Sequence, residues 1–138
     1  MLSMQDKSCI FCKIVNGEIP AHKVFEDDDS LAFLDNKPHT KGHTVVISKK
    51  HGETVFEFTN DELKELMIDV KKVMALLQEK LSPDGFNVGW NHNTAGGQVV
   101  PHLHVHVMPR WNGDGGGSMH SIVNNPSDVE EVAKLFEN

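Results

Sequence analysis

Cysteine is scarce in this sequence: Cys9 and Cys12, spaced C-x2-C, are the only two among 138 residues. This excludes a disulfide-rich secreted domain, and a chain of this length can bury a core without disulfides. In a reducing compartment the C-x2-C spacing suits a metal half-site or a redox pair better than a structural disulfide.

Long apolar runs are also absent. No stretch approaches the roughly 18 consecutive apolar residues of a transmembrane helix. The first seven residues, MLSMQDK, lack the apolar segment of a secretory signal. We therefore expect a cytoplasmic protein that has no membrane partner.

Clustered positive charge is the third absence. The chain has 13 lysines and arginines against 20 aspartates and glutamates, which gives a formal net charge of −7 and no basic stripe. A nucleic-acid partner is not expected, because binding its backbone requires clustered lysine and arginine. A small phosphorylated ligand remains compatible, since backbone N–H groups and imidazoles can hold a phosphate.

Local patterns predict one α+β domain over residues 1–138. A short helix begins at Cys9, and apolar alternation between turn residues predicts strands at 24–26, 31–35, 43–48, 86–91 and 102–108. A long helix begins at a capping box, in which Thr59 accepts from the amide of Glu62 and Glu62 reaches back. Apolar residues follow at helical spacing from Leu63 to Leu77.

Both ends of the chain stand apart from this pattern. We expect residues 1–8 to be disordered or loosely attached. Residues 111–125 are glycine-rich and are expected to form a flexible segment, either a mobile flap or an inter-subunit arm. Apolar spacing after Pro126 predicts a C-terminal helix over 127–137.

Three histidines alternate with aliphatic residues in the last strand. His102, His104 and His106 therefore share one face, at a spacing of about 6.6–6.8 Å, while the aliphatic residues seal a core. Three imidazoles cover an apolar interior poorly, so this face indicates a site that uses imidazole as ligand, nucleophile or proton carrier. Just upstream, Gly96 and Gly97 allow the backbone to approach an anion closely.

Structural zinc is one interpretation of these residues. Cys9 and Cys12 supply two of four tetrahedral ligands, and His51 and His102 are candidates for the other two. Alternatively, the two cysteines are small buried hydrophobic residues that flank Phe11.

Nucleophilic catalysis is a second interpretation. Neutral imidazole, with an unperturbed pKa of ~6.5, attacks phosphorus when one nitrogen is free and the proton on the other is held. A neighbouring histidine then donates, and amides near residues 97–99 cradle the oxygens. Spacing does not say which histidine attacks. It equally suits a zinc hydrolase in which His102, His104 and His43 bind the metal.

The histidine stretch resembles a known family. Residues 102–108, HLHVHVM, match the pattern His-φ-His-φ-His-φ-φ of the histidine-triad (HIT) nucleotide hydrolases and transferases. The similarity runs in order over residues 9–110, through the segments 10–14, 17–21, 31–35, 42–47, 49–51, Asn91 and 95–98. The chain resembles a zinc-containing, microbial-type member of this family. The resemblance implies a homodimer whose small antiparallel sheet carries one long packed helix.

The resemblance also implies a chemistry. A nucleotide hydrolase, or a nucleotidyl transferase, would cleave at the α-phosphate of an adenosine or other purine nucleoside phosphate derivative. His104 would attack, oriented by the carbonyl of His102, and form a nucleotidyl-histidine intermediate, with His106 and His43 beside the phosphate. The activity is that of a phosphoramidase or of a dinucleoside polyphosphate hydrolase. A nucleotide-binding or scaffold protein with little turnover is the alternative.

Further site residues follow from the same resemblance. The expected nucleotide-binding residues, besides His104 and His106, are Ile10, Phe11, Phe33, Leu34, Asp35, Asn91, Gly97, Gln98 and Val99. Zinc is expected on Cys9, Cys12, His51 and His102, and no organic cofactor is expected. Val99 departs from the family, because some relatives have a serine there whose hydroxyl contacts the phosphate.

Overall fold

Residues 6–137 of the computed structural model form a five-stranded antiparallel sheet with helices packed on both faces. The strands are β1 (Lys23–Glu26), β2 (Ser30–Leu34), β3 (Thr44–Ser48), β4 (Gly85–Gly89) and β5 (His104–Arg110). The helices are α1 (Ile10–Val15), α2 (Asn60–Leu81) and α3 (Val129–Ala133). The strand order β1-β2-β3-β5-β4 puts β5 beside β3 and β4 at an edge. The expected α+β class, with a small antiparallel sheet and one long helix, is confirmed.

The long helix α2 covers one face of the sheet. It begins at the expected capping box, where the Glu62 amide donates to Thr59 Oγ1 at 3.2 Å and the Thr59 amide donates to Glu62 Oε1 at 2.7 Å. It ends where Ser82 adopts a left-handed conformation at φ 50°. Met67 departs from the apolar stripe and is 51% exposed. The main core joins α2 to the sheet through Leu66, Val70, Val73, Leu77, Ala32, Val46, Leu103, Val105 and Val107.

The opposite face of the sheet carries α1 and the histidines. A second cluster joins Ile14 of α1 to four strand residues, Leu31, Phe33, Val45 and Ile47. In the β3–β5 ladder Val45 pairs with His106 and Ile47 pairs with His104. Directly opposed residues of an antiparallel pair point to the same face. The histidines therefore face away from α2, on the side where the short helix α1 packs on the sheet.

The histidine strand begins at His104, two residues later than the alternation suggests. Pro101 precedes the strand, and the Leu103 amide donates to the carbonyl of Gly52 at 2.7 Å instead of joining the ladder. His102 therefore lies outside the sheet, although it is fully buried. The strand β4 also ends at Gly89 and not at residue 91.

Arg110 fixes the glycine-rich segment that follows β5. Its guanidinium donates to both carboxylate oxygens of Asp114 at 2.7 and 2.8 Å, and to the carbonyl of Gly117 at 2.6 Å. Asp114 also accepts from the amides of Trp111 and Gly116. These bonds fold the start of the segment into a loop beside β4, and the flexibility of 111–125 stays a prediction.

The chain ends are described in part. Of the expected loose segment 1–8, residues 1–5 lie outside the described residues, and the amide of Asp6 donates to Cys12 Sγ at 3.4 Å. At the other end α3 is shorter than 127–137, being followed by a 3-10 turn at Lys134–Phe136 with no buried residue. Among the helices within 6–137, none combines the length and apolar character needed to cross a membrane.

One carboxylate is buried at the edge of the main core. Asp69 of α2 is fully buried, and within the described residues neither of its oxygens has a hydrogen-bond partner. Lys72 Nζ lies 3.9 Å from Asp69 Oδ1, and Asp27 faces the same carboxyl. Burial, together with the proximity of Asp27, raises the pKa of Asp69 to about 6. An ionised Asp69 therefore destabilises the folded state.

The substitution Asp69→Asn tests this effect on stability. Between about pH 4 and pH 6 the folded chain retains a proton on Asp69 that the unfolded chain releases, so the free energy of unfolding falls as the pH rises. The variant removes this fall and is more stable at pH 7 by about 1–3 kcal/mol. Urea unfolding at several pH values measures both effects. Glu79→Gln, an exposed change on the same helix, is the control. Parallel pH profiles for wild type and Asp69→Asn contradict the prediction.

Candidate functional site

Two cysteines and two histidines from distant segments converge beside α1. Cys9 Sγ lies 3.4 Å from His102 Nδ1, and Cys12 Sγ lies 3.3 Å from His51 Nδ1. His102 Nδ1 is 3.7 Å from Cys12 Sγ and 3.3 Å from His51 Nδ1. The four residues expected to bind a metal are thus brought together with their ligand atoms facing one another.

This donor set fits a tetrahedral zinc ion. Zn–N bonds of about 2.0 Å and Zn–S bonds of about 2.3 Å imply ligand separations of roughly 3.3–3.8 Å, as observed. His102 Nε2–H donates to the carbonyl of Ser48 at 2.8 Å, so Nδ1 turns its lone pair toward the sulfurs. Burial raises the pKa of the Cys12 thiol to about 11 and lowers that of His102 to about 4. Both groups are therefore neutral at pH 7, and a bound cation would ionise the thiol while the imidazole stays neutral.

His104 is held in one tautomer. Its Nδ1 lies 2.7 Å from the carbonyl of His102, so Nδ1 carries the proton and donates. Within residues 6–137 its Nε2 has no hydrogen-bond partner and retains a free lone pair. Burial lowers the pKa of His104, which keeps the ring neutral. These are the properties that a nucleophilic imidazole requires.

His106 is held in the opposite tautomer by a chain of hydrogen bonds. The amide of His39 donates to His43 Nδ1 at 3.2 Å, so the His43 proton is on Nε2. His43 Nε2–H donates to His106 Nδ1 at 2.9 Å, with Asp35 Oδ2 at 3.7 Å. The proton of neutral His106 is therefore on Nε2. His104 offers a lone pair while His106 offers an N–H donor.

Five aromatic rings form a row across this face. Their neighbouring centroids are 5.1 Å apart from Phe11 to His104, 5.0 Å from His104 to His106, 5.1 Å from His106 to His43 and 5.6 Å from His43 to His39. Phe33 packs edge-on against Phe11 at 5.6 Å, at one end of the row. His104 and His106 lie between an apolar end and a polar end of this row.

The loop before the histidines offers fewer free amides than expected. The Gly97 amide donates to Thr94 and the Gln98 amide to Asn93, so both are already used. The Gln98 side chain bonds three backbone groups and holds the loop together. Gly97 adopts φ 96°, which favours glycine. Within the described residues the Val99 amide alone of the three is without a partner.

The other expected nucleotide-binding residues are divided between the two ends of the row: Ile10 and Leu34 adjoin Phe11 and Phe33 in the chain, whereas Asp35 and Asn91 lie toward the polar end. Ile10 and Leu34 are 48% and 38% exposed, and neither belongs to a buried core cluster. Asp35 follows Leu34 and reaches His43. The Asn91 amide group donates to the carbonyl of Gly97 at 3.5 Å, next to the loop. The structure thus supports a shared surface through Asp35, Asn91 and the ring row.

A cavity of about 520 Å³ opens at the polar end of the row. Its lining includes three histidines, His39, His43 and His106, together with residues 87–91, 116–119 and 121–122. His39 and Trp90 were not singled out from the sequence, where the only signal for His39 is its position four residues before His43 in a loop. Ser48 was missed as well, because its role is that of a backbone carbonyl.

Other groupings of the expected ligands are less favourable. His102, His104 and His43 do not form one ligand set, because His102 Nδ1 faces the cysteines and His104 Nδ1 faces a carbonyl. Within residues 6–137 the second set able to hold a metal is Asp35, His43 and His106. The catalytic zinc on His102, His104 and His43 is therefore not supported by the geometry.

The tautomers can be tested by nitrogen NMR of the imidazole rings. We expect the proton on Nδ1 for His104 and on Nε2 for His43 and His106 at pH 7. Burial, with the neighbouring His104 and His43 adding to it, lowers the pKa of His106 to about 4, so its ring stays neutral until the pH approaches that value. A titration from pH 8 to pH 4 measures this. Protonation of His106 near pH 6, or a proton on its Nδ1, contradicts the arrangement.

Comparison with protein families gives a clear match. The model of the HIT domain matches residues 16–113. An uncharacterized HIT-like protein of Methanocaldococcus jannaschii is 48% identical over 126 residues, which cover 91% of this chain and 96% of that protein. The adenosine 5′-monophosphoramidase of Schizosaccharomyces pombe is 40% identical over 130 residues, which cover 94% of each chain.

Solved structures agree with the sequence comparison. A member of the HIT family of proteins from Bacillus subtilis superposes with a TM-score of 0.79 at 40% identity, covering 94% of each chain. A protein from Streptococcus mutans superposes with a TM-score of 0.85 at 39% identity, covering 96% of this chain and 83% of the other. The fold is thus shared with known structures.

Proposed function

The chain belongs to the HIT domain family, and from that premise we propose that it is a nucleotide hydrolase. Its substrate is an adenosine or other purine nucleoside phosphate derivative, cleaved at the α-phosphate. One observation carries the proposal: His104 presents a free lone pair 5.0 Å, ring to ring, from His106, which presents an N–H. The S. pombe relative named adenosine 5′-monophosphoramidase supports the substrate class.

The reaction proceeds in two displacements. His104 Nε2 attacks the α-phosphorus and the bond to the leaving group breaks; that group takes the electron pair and a proton from solvent, while neutral His106 donates its Nε2–H to a phosphoryl oxygen as a hydrogen bond. Water then attacks the nucleotidyl-histidine intermediate; the bond to His104 breaks, the electron pair returns to His104 Nε2, and the attacking water releases its proton to solvent. The His102 carbonyl holds the Nδ1 proton and stabilises the positive charge that develops on the attacking ring. Another acceptor in place of water makes the same chemistry a nucleotidyl transfer.

The nucleotide spans the ring row. The base lies toward Phe11 and Phe33, where Ile10 and Leu34 are exposed, and the ribose hydroxyls bond to the carboxylate of Asp35. The phosphate lies over His104 and His106, within reach of the free amide of Val99. Because Gly97 and Gln98 use their amides internally, their part is to shape the loop rather than to donate.

The substitution His104→Ala tests the proposal. Removing the attacking nitrogen lowers turnover of an adenosine 5′-phosphoramidate by about 10³-fold or more. Release of adenosine monophosphate, followed by chromatography, is the measurement, and Lys71→Ala, an exposed change on α2, which packs on the other face of the sheet, is the control.

Two outcomes separate the competing functions. Equal turnover by wild type and His104→Ala contradicts the nucleophile assignment. Tight binding of adenosine monophosphate without product release, across phosphoramidates and dinucleoside polyphosphates, identifies a binding or scaffold protein instead. A binding or scaffold protein requires the same phosphate-binding groups, so the turnover measurement is what distinguishes it from an enzyme.

We also propose that Cys9, Cys12, His51 and His102 bind a structural zinc ion. The support is the fit of their separations to a tetrahedral site and the Ser48 bond that orients His102. Zinc bound there crosslinks α1, the segment after β3 and the start of the histidine stretch. Its contribution is folding free energy rather than chemistry on phosphorus.

Metal removal tests the zinc proposal. A chelator lowers the free energy of unfolding by about 3 kcal/mol or more, while activity per folded molecule survives where the fold does. Metal analysis of the purified protein gives the stoichiometry. The double variant Cys9→Ser, Cys12→Ser is the control, because the chelator has nothing further to remove from it. The proposal is contradicted if the wild-type protein contains no zinc and the chelator does not change its free energy of unfolding.

The expected homodimer has one supporting observation. The C-terminal residues Val129, Leu135 and Phe136 are 76%, 81% and 81% exposed although they form the apolar side of α3 and its 3-10 extension. Clustered exposed apolar side chains mark protein contact sites. We propose that a second copy of the chain covers them.

A further inference from the structure

Asp6 reaches the proposed zinc cluster (Cys9, Cys12, His51 and His102) with both its backbone and its side chain. Its amide donates to Cys12 Sγ at 3.4 Å, and its Oδ2 lies 4.0 Å from His51 Nε2. That ring nitrogen is the one turned away from the cluster, because His51 Nδ1 faces Cys12 and His102. A single residue that is not itself one of the four therefore contacts two of them.

Ser8 orients the carboxylate of Asp6. The amide and the hydroxyl of Ser8 both donate to Asp6 Oδ1, at 2.8 and 2.7 Å, so Oδ2 is the oxygen left for His51. The amide of Cys9 donates to the carbonyl of Asp6 at 3.1 Å and closes a turn just before α1. The segment from Asp6 to Cys9 is thus held by its own hydrogen bonds in the conformation that brings Asp6 to the cluster.

The other two members of the cluster have outer partners as well. His102 Nε2 donates to the carbonyl of Ser48 at 2.8 Å, and the amide of Cys12 donates to Cys9 Sγ at 3.5 Å. Each histidine therefore has an oxygen beside its second nitrogen, and each sulfur has an amide N–H. Oxygen partners orient metal-binding imidazoles, and N–H donors stabilise the negative charge of a thiolate.

His51 is the member of the cluster most open to water. Its side chain is 17% exposed, whereas Cys9, Cys12 and His102 are buried. Asp6 stands on this side, with its own side chain 48% exposed. Water replaces an accessible ligand more readily than a buried one, so a bound ion is released by way of His51. The carboxylate of Asp6 is placed at that weakest point.

We infer that Asp6 is a positioning residue of the zinc cluster, which holds His51 through its carboxylate and Cys12 through its amide and so sets the affinity for Zn²⁺ and the rate of its release. The inference rests on the zinc proposal made above and adds to it a residue outside the four ligands. A cation bound at His51 Nδ1 makes the ring more positive, which strengthens its attraction to the carboxylate.

The substitution Asp6→Asn in the full-length chain tests this role. It keeps the backbone amide that bonds Cys12 and removes the charge that faces His51. We expect the Kd for Zn²⁺ to rise about tenfold, at the lower end of the effect of outer partners, because the contact is long and partly exposed. Competition with a chromophoric chelator of known affinity measures Kd. Rapid mixing with excess chelator measures release, which we expect to be faster by a similar factor.

Two further variants sharpen the measurement. Glu18→Gln is the matched control, since it removes the same charge from an exposed residue after α1, and it leaves both the Kd and the release rate unchanged. Ser8→Ala removes one of the two bonds that orient the carboxylate and raises the Kd about two- to threefold. Urea unfolding in excess chelator, where no metal is bound, gives the same free energy for wild type and Asp6→Asn.

The outcomes separate this inference from the zinc proposal beneath it. If wild type binds no Zn²⁺, the zinc proposal fails and this inference fails with it. If wild type binds Zn²⁺ but Asp6→Asn has the same Kd and the same release rate, the role of Asp6 alone is wrong. If Asp6→Asn lowers the stability of the metal-free chain as much as that of the metal-bound chain, Asp6 supports the fold rather than the metal, which also overturns the inference.

Discussion

His102 is the residue on which the rest of the site depends, because each of its polar groups has a separate partner. Its Nε2 donates to the Ser48 carbonyl, its Nδ1 faces the two cysteines and its own carbonyl accepts from His104 Nδ1. The ring is anchored by a neighbouring strand, and the carbonyl then fixes the next histidine. The proposed zinc ligand His102 and the proposed nucleophile His104 therefore lie two residues apart on one stretch of backbone. Disorder at the zinc cluster would also displace His104.

Burial determines the electrostatics of the ring row. It lowers the pKa of His43, His104 and His106, so the site holds neutral imidazoles rather than imidazolium ions. A neutral ring attacks phosphorus, whereas a charged ring does not. The cost is that nothing in the row attracts an anion by charge, in a chain whose net charge is −7. A phosphate proposed to bind in this site is therefore held by N–H donors and not by charge.

Much of this arrangement could be predicted from the sequence, because it is local. Period-two alternation put His104 and His106 on one face, and the Thr59–Glu62 spacing marked the start of α2. The features that could not be predicted depend on hydrogen bonds between distant segments or within irregular loops. The strand starts late because the Leu103 amide bonds Gly52, and the amides of Gly97 and Gln98 are used within their own loop. Asp69 can be noticed in the sequence, because it is a charged residue three positions after Leu66, where the helical spacing predicts an apolar side chain.

The groups proposed to act on phosphorus lie in the inner layer of the site. They are buried or half-buried, and each is held by a hydrogen bond whose loss would leave a polar atom unsatisfied. Trp90 and Met119, at the rim of the neighbouring cavity, are 44% and 60% exposed. Substitutions at such exposed side chains cost little folding free energy. The tautomer of His104 is set by the buried carbonyl of His102, so changes at the rim leave it in place.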